Sequence, residues 1–341
     1  DSTIHCTLLH MRAVLSEKYG PPETMEVREV PAPTPGEGEV LIKVAAASVN
    51  ACDWHLLMAD PLLVRVGGMG LFRPKFKVLG GDVAGTVEEV GKGVTDFAPG
   101  DEVYGSVSET GGAFAELVSA KTDMVVRKPR SLTFGEAAAV PMAALTALQG
   151  LRDVGEIKAG EAVLINGASG GVGTFAVQIA NSFGAKVTAV CSGAKMGLLQ
   201  LLGVDDLIDY TTTDFTRQGR RYDLIFDGAG TVSLTGAERA LNEGGRCAVA
   251  GFSSMRNMLR TALFARRLAK RGGKKMSLVS EKPNAGDLGI MNDLIEAGRV
   301  KPIVERSFPL ERTGEAVRHV YEGRARGKVV ILVGKDAEGR A

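Results

Sequence analysis

The stretch AVLINGASGGVGTFAVQIANSFGAKVTAVCSGAK, residues 162–195, decides the fold. It passes from an apolar strand through a cluster of glycines into a helix, and then into a second apolar strand. A strand, a glycine-rich turn and a helix in this order form a site for a pyrophosphate, because glycines let the backbone come close and the helix start offers free N–H groups. Ala168 stands where the usual pattern begins with glycine, so the spacing alone leaves a purely structural turn as the alternative. The residues expected at the pyrophosphate are Ser169, Gly170, Gly171, Val172 and Gly173.

The acid that usually accompanies such a turn is missing. In sites for NAD, an Asp or Glu about 20 residues beyond the glycines holds the ribose 2′-hydroxyl, but no acidic residue occurs from Gly173 to Val204. The second strand ends instead near Ser192 and Lys195, whose hydroxyl and ammonium groups suit a 2′-phosphate. The sequence therefore predicts NADP(H) as the cofactor, with Tyr210 beside the same phosphate or the adenine. A solvated surface lysine and a helix-capping serine are the alternative.

Length, charge and cysteine content limit the class of protein. A chain of 341 residues exceeds what one hydrophobic core usually covers, so two domains are expected. The net charge of +1 gives no general attraction to nucleic acid or to an anionic membrane. The four cysteines form no CxxC pair, which favours a reducing compartment. We expect a cytoplasmic protein, or one in a reducing organelle lumen if residues 1–10 are a trimmed targeting remnant. A disordered leader and an expression artefact are the other interpretations of residues 1–10.

The pattern of apolar runs changes twice along the chain. Before about residue 130, short β-rich runs such as EVLIKVAAASVN are broken by Pro and Gly turns. The middle of the chain alternates buried strands with helices, which indicates a doubly wound parallel sheet, and the tail returns to the first pattern. We therefore predict an α/β protein in which 11–130 and 281–341 form a partly open β-barrel, the catalytic domain, and 131–280 form a Rossmann domain that binds NADP.

Several motifs give the chain a family resemblance, among them AAASVNACDWH, VLGGDVAGTVEEVGKGVTDFAPGDEVYG, LINGASGGVGTFAVQIA and GRARGKVVILV. With these motifs, nearly everything after Met11 resembles the zinc-independent, quinone oxidoreductase-like branch of the medium-chain dehydrogenase/reductase superfamily. The resemblance implies a GroES-like catalytic domain, a homodimer, and NADPH-dependent reduction of quinones or α,β-unsaturated carbonyl compounds. Two other functions stay open, an NADP-linked alcohol or aldehyde oxidoreductase and a cofactor-binding protein with little turnover.

The resemblance also implies that no metal is bound. Zinc-dependent members of the superfamily have ligands at the positions that look equivalent to Asn50, Gly81 and Met142. Cys52 with only His55 nearby gives fewer than the three protein ligands that a catalytic zinc needs, and we expect Cys52 to be a small buried residue rather than a nucleophile. Without a Lewis acid, reduction of an electron-poor alkene or quinone is easier than alcohol oxidation, because a developing enolate oxygen needs only hydrogen-bond donors.

The family resemblance assigns further residues to the catalytic cleft. Asn50 and Thr146 are implied near the nicotinamide, and Asp53 is implied to order the loop below the cleft. Lys328 matches a position that faces the cofactor, with a surface role as the alternative. His55 either gives a proton or hydrogen bond to the substrate oxygen or fills the cleft wall. Asn50, Asp53 and His55 are therefore the predicted catalytic residues.

Two more glycine turns end strands on the ligand-binding side of the predicted sheet, DGAG at 227–230 and AGFSS at 250–254. They make Gly228, Gly251 and Phe252 further candidates for cofactor contact.

One basic segment, residues 256–275, holds eight Arg or Lys and no acid. We expect its apolar face to pack on the substrate cleft or on a second subunit. Contact with a membrane surface is the less favoured alternative, and no specific nucleic-acid partner is predicted.

Overall fold

The computed structural model describes residues 10–60, 65, 70–109, 111–251 and 273–334. Its strands are β1 (His10–Leu15), β2 (Glu26–Pro31), β3 (Glu39–Val49), β4 (Asp82–Val90), β5 (Glu102–Ser106), β6 (Leu117–Lys121), β7 (Val125–Arg127), β8 (Ala162–Asn166), β9 (Lys186–Cys191), β10 (Asp206–Asp209), β11 (Tyr222–Asp227), β12 (Leu241–Val249), β13 (Lys275–Leu278), β14 (Val304–Pro309) and β15 (Lys328–Leu332). Its α-helices are α1 (Ala51–Met58), α2 (Phe134–Ala138), α3 (Pro141–Gln149), α4 (Gly171–Ser182), α5 (Met196–Leu201), α6 (Leu234–Ala240), α7 (Ala285–Glu296) and α8 (Thr313–Tyr321).

Strands β8 to β13 form a six-stranded parallel sheet in the order β10-β9-β8-β11-β12-β13. Counted from β8, this is the 3-2-1-4-5-6 order of dinucleotide-binding folds. Helices α3, α4 and α7 share a core with one face of the sheet, and α6 shares a core with the other. Coverage of both faces explains why strands such as AVLIN are apolar without alternation. The predicted doubly wound parallel sheet is confirmed.

The second large sheet has the order β14-β15-β3-β4-β5-β7, and it is antiparallel except for the β14–β15 pair. The long strand β3 makes this sheet branch. Its first half, from Glu39 to Lys43, pairs with β6, whereas Ala46–Val49 pair with β15. A sheet that branches in this way wraps around its own apolar core, which contains Val40, Ile42 and the other inward side chains. The expected partly open barrel of GroES-like type is confirmed.

The tail of the chain returns to this barrel, because β14 and β15 join strands from the first third of the sequence. The exact domain bounds at 130/131 and 280/281 stay a prediction. Helix α2 lies beyond the first bound, yet it packs on β3 and β4 of the barrel. In the part of the chain that the structure describes, no helix has both the length and the apolar composition needed to cross a membrane.

Candidate active site

The glycine turn joins β8 to α4 at the carboxyl edge of the parallel sheet. Gly167 has a φ of +77°, a left-handed conformation that glycine adopts without a steric cost. Gly170 is the extended N-cap residue of α4. A Cβ added at Gly173 would lie 2.1 Å from the Gly167 carbonyl oxygen, so only glycine lets the helix and the turn approach this closely. The first turn of α4 thus presents its N–H groups at the edge where ligands bind.

The tail of the chain lies directly against this turn. The Ser169 carbonyl oxygen accepts a hydrogen bond of 3.0 Å from the backbone N–H of Gly327. A Cβ added at Gly171 would lie only 2.9 Å from Cδ of Lys328. Val172 is half-buried on the first turn of the helix. The residues predicted at the pyrophosphate are therefore together, and Lys328 is next to them.

Lys328 connects the glycine turn to a buried polar cluster in the barrel. Its side chain is only 3% exposed, so it is not a surface residue. The ammonium group donates a hydrogen bond to Oδ1 of Asn50 and lies 3.6 Å from Oδ2 of Asp82. Burial lowers the pKa of Lys328, while the negative charges of Asp82 and Asp53 act in the opposite direction.

Asp82, the first residue of β4, is the centre of this cluster. Its Oδ2 accepts hydrogen bonds of 2.8 Å from the Ser48 hydroxyl and from the Asn50 amide, and its Oδ1 accepts one of 3.1 Å from the backbone N–H of Met142. The carboxylate therefore fixes the orientation of Asn50 and ties the barrel to the first turn of α3. Gly81 lies beside it, where an added Cβ would be 3.3 Å from Cε of Met142.

Asp53 holds the start of α1 in place. Its carboxylate accepts hydrogen bonds from the backbone N–H of Asn50 at 2.7 Å and of Gly80 at 3.1 Å. Burial raises the pKa of Asp53 to about 7, helped by the charge of Asp82 and opposed by both backbone hydrogen bonds and by Lys328. This geometry agrees with the implied role of ordering a loop, and it gives Asp53 a positioning rather than a chemical task.

His55 and Cys52 lie on α1, close to this cluster. The Nδ1 of His55 is hydrogen-bonded to the carbonyl oxygen of Asp60, and its ring stacks on Trp54 with centroids 3.6 Å apart. A carbonyl oxygen only accepts, so Nδ1 carries a hydrogen in this contact. The prediction that Cys52 is a buried residue is wrong, since the residue is exposed on the first turn of α1; its thiol is nevertheless surrounded by enough protein that burial raises its pKa.

The predicted 2′-phosphate ligands lie after β9. Ser192 precedes a short 3₁₀ turn without capping it through its side chain, and Tyr210 is 63% exposed beyond β10. Lys195 donates a hydrogen bond of 2.9 Å to the carbonyl oxygen of Ala325. The parallel pairing of β9 and β10 also brings an acid here. A Cβ added at Gly193 would lie 2.5 Å from a carboxylate oxygen of Asp209.

The other two glycine turns meet at the same edge of the sheet. A Cβ added at Gly251 would lie 2.3 Å from the Gly228 carbonyl oxygen, so glycine is required for this contact. Asp227 holds the turn by accepting hydrogen bonds of 2.7 Å from the Asn166 amide and 2.9 Å from the backbone N–H of Gly230. Phe252 and most of the basic segment 256–275 lie outside the described residues.

The positions compared with zinc ligands converge in space. Asn50, Gly81 and Met142 surround Asp82, and Thr146 follows one turn later on α3, where its hydroxyl donates a hydrogen bond of 2.7 Å to the Met142 carbonyl oxygen. Within the described ranges, no group of three or more His, Cys, Asp or Glu side chains could hold a metal ion. Zinc independence stays a prediction.

Sequence reasoning missed three acidic residues. Asp82 begins β4 directly after the quoted glycine pair, so its place opposite Asn50 could have been inferred from the family motif. Asp209 lies beyond residues 173–204, where the acid of an NAD site is expected, and reaches the nucleotide edge only through strand pairing. Glu281 stands in a Pro- and Asn-containing loop that reads as solvent-exposed, and the sequence gives no signal for its burial.

Comparison with known proteins agrees with this architecture. Residues 36–130 match the family described as alcohol dehydrogenase GroES-like domain, and residues 202–331 match the family described as zinc-binding dehydrogenase. The solved structure of the quinone oxidoreductase from Coxiella burnetii is similar, with a TM-score of 0.83 and 27% identity over 96% of this chain and 100% of that one.

Two curated relatives are more similar in sequence. The mitochondrial NAD(P)H oxidoreductase RTN4IP1 of Bos taurus is 35% identical over 331 residues, which covers 86% of this chain and 82% of the relative. The 2-methylene-furan-3-one reductase of Solanum lycopersicum is 33% identical over 337 residues, covering 94% of this chain and 79% of the relative. The chain therefore belongs to the medium-chain dehydrogenase/reductase superfamily, in its quinone oxidoreductase-like branch.

Proposed function

We propose that this protein is a zinc-independent reductase that transfers a hydride from NADPH to quinones or α,β-unsaturated carbonyl compounds. The observation that carries the proposal is the position of Lys328. Its side chain lies against the glycine turn at one end and in the Asn50–Asp82 cluster at the other. A single buried residue thus links a dinucleotide-type turn to a polar cluster, and a cofactor and a substrate have to meet for hydride transfer.

The residues present fit a nicotinamide dinucleotide. At Gly170 an added Cβ would meet only the Gly167 carbonyl oxygen, at 3.5 Å, so the backbone is open to close approach by a pyrophosphate. Ser192, Lys195 and the exposed Tyr210 would hold the 2′-phosphate and the adenine. When bound, the cofactor supplies the hydride. The carboxylate of Asp209 near Gly193 opposes a second negative charge at this edge, so the preference for NADPH depends on Lys195 outweighing it.

The chain's own residues orient and polarise the substrate. Asn50 is held by Asp82 and Lys328, so its amide has a fixed direction at the base of the cleft. The Lys328 ammonium lies beside Asn50 and would favour an oxygen on which negative charge develops. Two of the relatives support the substrate class, since one is named a quinone oxidoreductase and another a furanone reductase.

The remaining expectations belong to the same proposal. We propose a homodimer with a catalytic domain at 11–130 and 281–341 and an NADP-binding domain at 131–280. We also propose a reducing compartment, either the cytoplasm or an organelle lumen; the RTN4IP1 relative is named as mitochondrial.

The test is a panel of quinones, enones, enals and alcohols, followed by NADPH absorbance with and without EDTA. We expect oxidation of NADPH by quinones or enones, a slower reaction with NADH, and no effect of the chelator. Alcohol oxidation that stops with EDTA and returns with zinc would replace this function with a metal-dependent alcohol oxidoreductase. Nucleotide binding without turnover of any compound would indicate a cofactor-binding protein.

A further inference from the structure

Glu281 occupies a fixed loop at the carboxyl edge of the parallel sheet. The loop leaves β13 with a hydrogen bond of 2.8 Å from the Val279 N–H to the Val249 carbonyl oxygen. One residue after Glu281, the backbone of Lys282 exchanges two hydrogen bonds with the Gln149 side chain, of 2.9 Å and 2.8 Å. Since the backbone is held on both sides, the direction of the Glu281 side chain is set by the fold.

That side chain lies within electrostatic range of the polar cluster of the barrel, since it interacts with the charge of Asp82 and acts on Cys52. Oε1 of Glu281 is buried, and among the described residues it has no hydrogen-bond partner. Burial, together with the negative charge of Asp82 from β4, raises the pKa of Glu281 to about 8. The surrounding protein, and then the charges of Asp53, Asp82 and Glu281, raise the pKa of the Cys52 thiol on α1. Lys328 from β15 approaches this group of acids through Asp82, at 3.6 Å.

A buried polar group without a partner calls for an explanation. A carboxyl group with a pKa of about 8 is mostly protonated at neutral pH, so Glu281 has a hydrogen to donate. The other titratable candidates are engaged. Asp53 accepts from two backbone N–H groups, the Nδ1 hydrogen of His55 points to Asp60, and Lys328 donates to Asn50.

We propose that Glu281 donates a hydrogen bond, and then its proton, to the carbonyl oxygen of the bound enone or quinone. The inference rests on the proposed function and names the proton donor that this function requires. It also defines the substrate class further. A neutral carbonyl oxygen accepts from a carboxylic acid, whereas a substrate carboxylate at the same position would be repelled by Asp82.

The step is balanced as follows for an enone. NADPH, when bound, would supply a hydride, that is two electrons and one proton, and would thereby be oxidised; the β-carbon of the substrate would gain this hydride. The π electrons move toward the carbonyl, so its oxygen becomes negative. The O–H bond of Glu281 then breaks, a new O–H bond forms on that oxygen, and the enol converts to the ketone in water. Solvent returns a proton to the Glu281 carboxylate.

Two substitutions separate the hydrogen bond from the proton. Glu281→Gln keeps a donor, the amide NH₂, but has no transferable proton, and Glu281→Leu removes both. Glu243→Gln is the matched control, because Glu243 is exposed on β12. Melting temperature and NADP⁺ binding are measured for each variant. Glu281→Gln has nearly the same shape as the parent residue, so it keeps the test decisive if the leucine variant does not fold.

The first readout needs no turnover. Cyclohexenone labelled with a heavy isotope at its carbonyl carbon is bound in the presence of NADP⁺, which cannot deliver a hydride, and its carbonyl stretch is recorded by infrared difference spectroscopy. In the parent protein, in Glu281→Gln and in Glu243→Gln, we expect the band to be shifted to lower frequency by the hydrogen bond. In Glu281→Leu it should move toward its position in an apolar solvent.

The second readout is the pH dependence of kcat with NADPH and cyclohexenone. The parent should lose activity as the pH rises through about 8, because the carboxylate form of Glu281 cannot donate. Glu281→Gln and Glu281→Leu should lack this alkaline decline and lose on the order of 10²-fold in kcat at neutral pH, because both have lost the general acid.

The outcomes are distinguishable. If the parent is active and Glu281→Leu keeps the parent's kcat and alkaline decline, the inference is overturned and the proposed function stays intact. If Glu281→Leu does not fold, the same result with Glu281→Gln has the same meaning. An unchanged carbonyl band in a folded leucine variant does the same. If none of the quinones or enones makes the parent protein oxidise NADPH, both the inference and the proposed function are overturned.

Discussion

Replacing Lys328 by methionine should destabilise the fold by leaving a buried carboxylate unpaired. The Lys328 ammonium and the Asp82 carboxylate lie 3.6 Å apart, with side chains 3% and 0% exposed. At an effective dielectric of about 20, unit charges at that separation attract by about 5 kcal/mol. The cost of removing both charges from water offsets much of this attraction. Loss of one partner alone nevertheless costs about 3 to 5 kcal/mol, because the other charge stays buried without its ion-pair partner and keeps only hydrogen bonds to neutral groups.

The assay is urea unfolding at neutral pH of the parent protein, K328M, D82N and the double variant K328M/D82N. We expect each single variant to lose stability by that amount, and the double variant to lose clearly less than the two single losses added together, since it leaves no lone charge behind. The reasoning would be refuted if K328M lost less than about 1 kcal/mol, the range of exposed ion pairs. Additive losses in the double variant would also refute it.

Three further predictions concern the cofactor edge, the cleft wall and the glycine turn. K195M should raise the Kd of NADPH by about 10-fold to 100-fold and leave the Kd of NADH nearly unchanged, because a charge-assisted hydrogen bond to the 2′-phosphate is lost. Fluorescence titration with both nucleotides measures the two Kd values. An equal loss of affinity for both nucleotides would show that Lys195 has a structural role. Loss of a general acid lowers turnover by about 10²-fold or more. H55F should lower turnover with cyclohexenone by far less, since the Nδ1 hydrogen of His55 is bound to the Asp60 carbonyl oxygen. A loss of about 10²-fold in steady-state assays would instead identify His55 as the proton donor. G173A should lower the unfolding free energy by about 3 kcal/mol through overpacking. The control is G289A on α7, which should not lower it, because a Cβ added there would meet nothing within 4 Å. Similar urea midpoints for the two variants would contradict this prediction.

The fold could be predicted from the sequence because its local signals are strong. The segment from β8 to β9 contains a fully buried strand, a glycine turn and an amphipathic helix, and each of these has a distinct pattern. The return of the tail to the barrel was predicted from its strands near the end of the chain, one of which contains Pro. Helix α2 was harder to assign, because its apolar residues suit either core and the sequence does not say which sheet it packs on.

The site was predictable only where residues are close in sequence or share a family motif. The glycine turn belongs to the first kind, and Asn50 with Lys328 to the second. Asp209 and Glu281 belong to neither. Asp209 reaches the nucleotide edge through the register of β9 with β10, and Glu281 is half-buried, with a buried Oε1, in a loop whose composition is typical of a solvent-exposed turn. Both depend on tertiary placement, which local patterns do not encode.

The Asp82 cluster also favours one kind of reduction over another. The resemblance places the zinc ligands of related enzymes at the positions of Asn50, Gly81 and Met142, and the structure brings the Lys328 ammonium beside Asn50. An ammonium ion carries one charge and acts through hydrogen bonds, so it stabilises a localised alkoxide less well than a divalent Lewis acid does. An enolate or a hydroquinone anion spreads its charge over several atoms and therefore needs less stabilisation at its oxygen. A substrate oxygen beside Lys328 would therefore support the proposed reduction of electron-poor alkenes and quinones better than a reaction of simple alcohols and aldehydes.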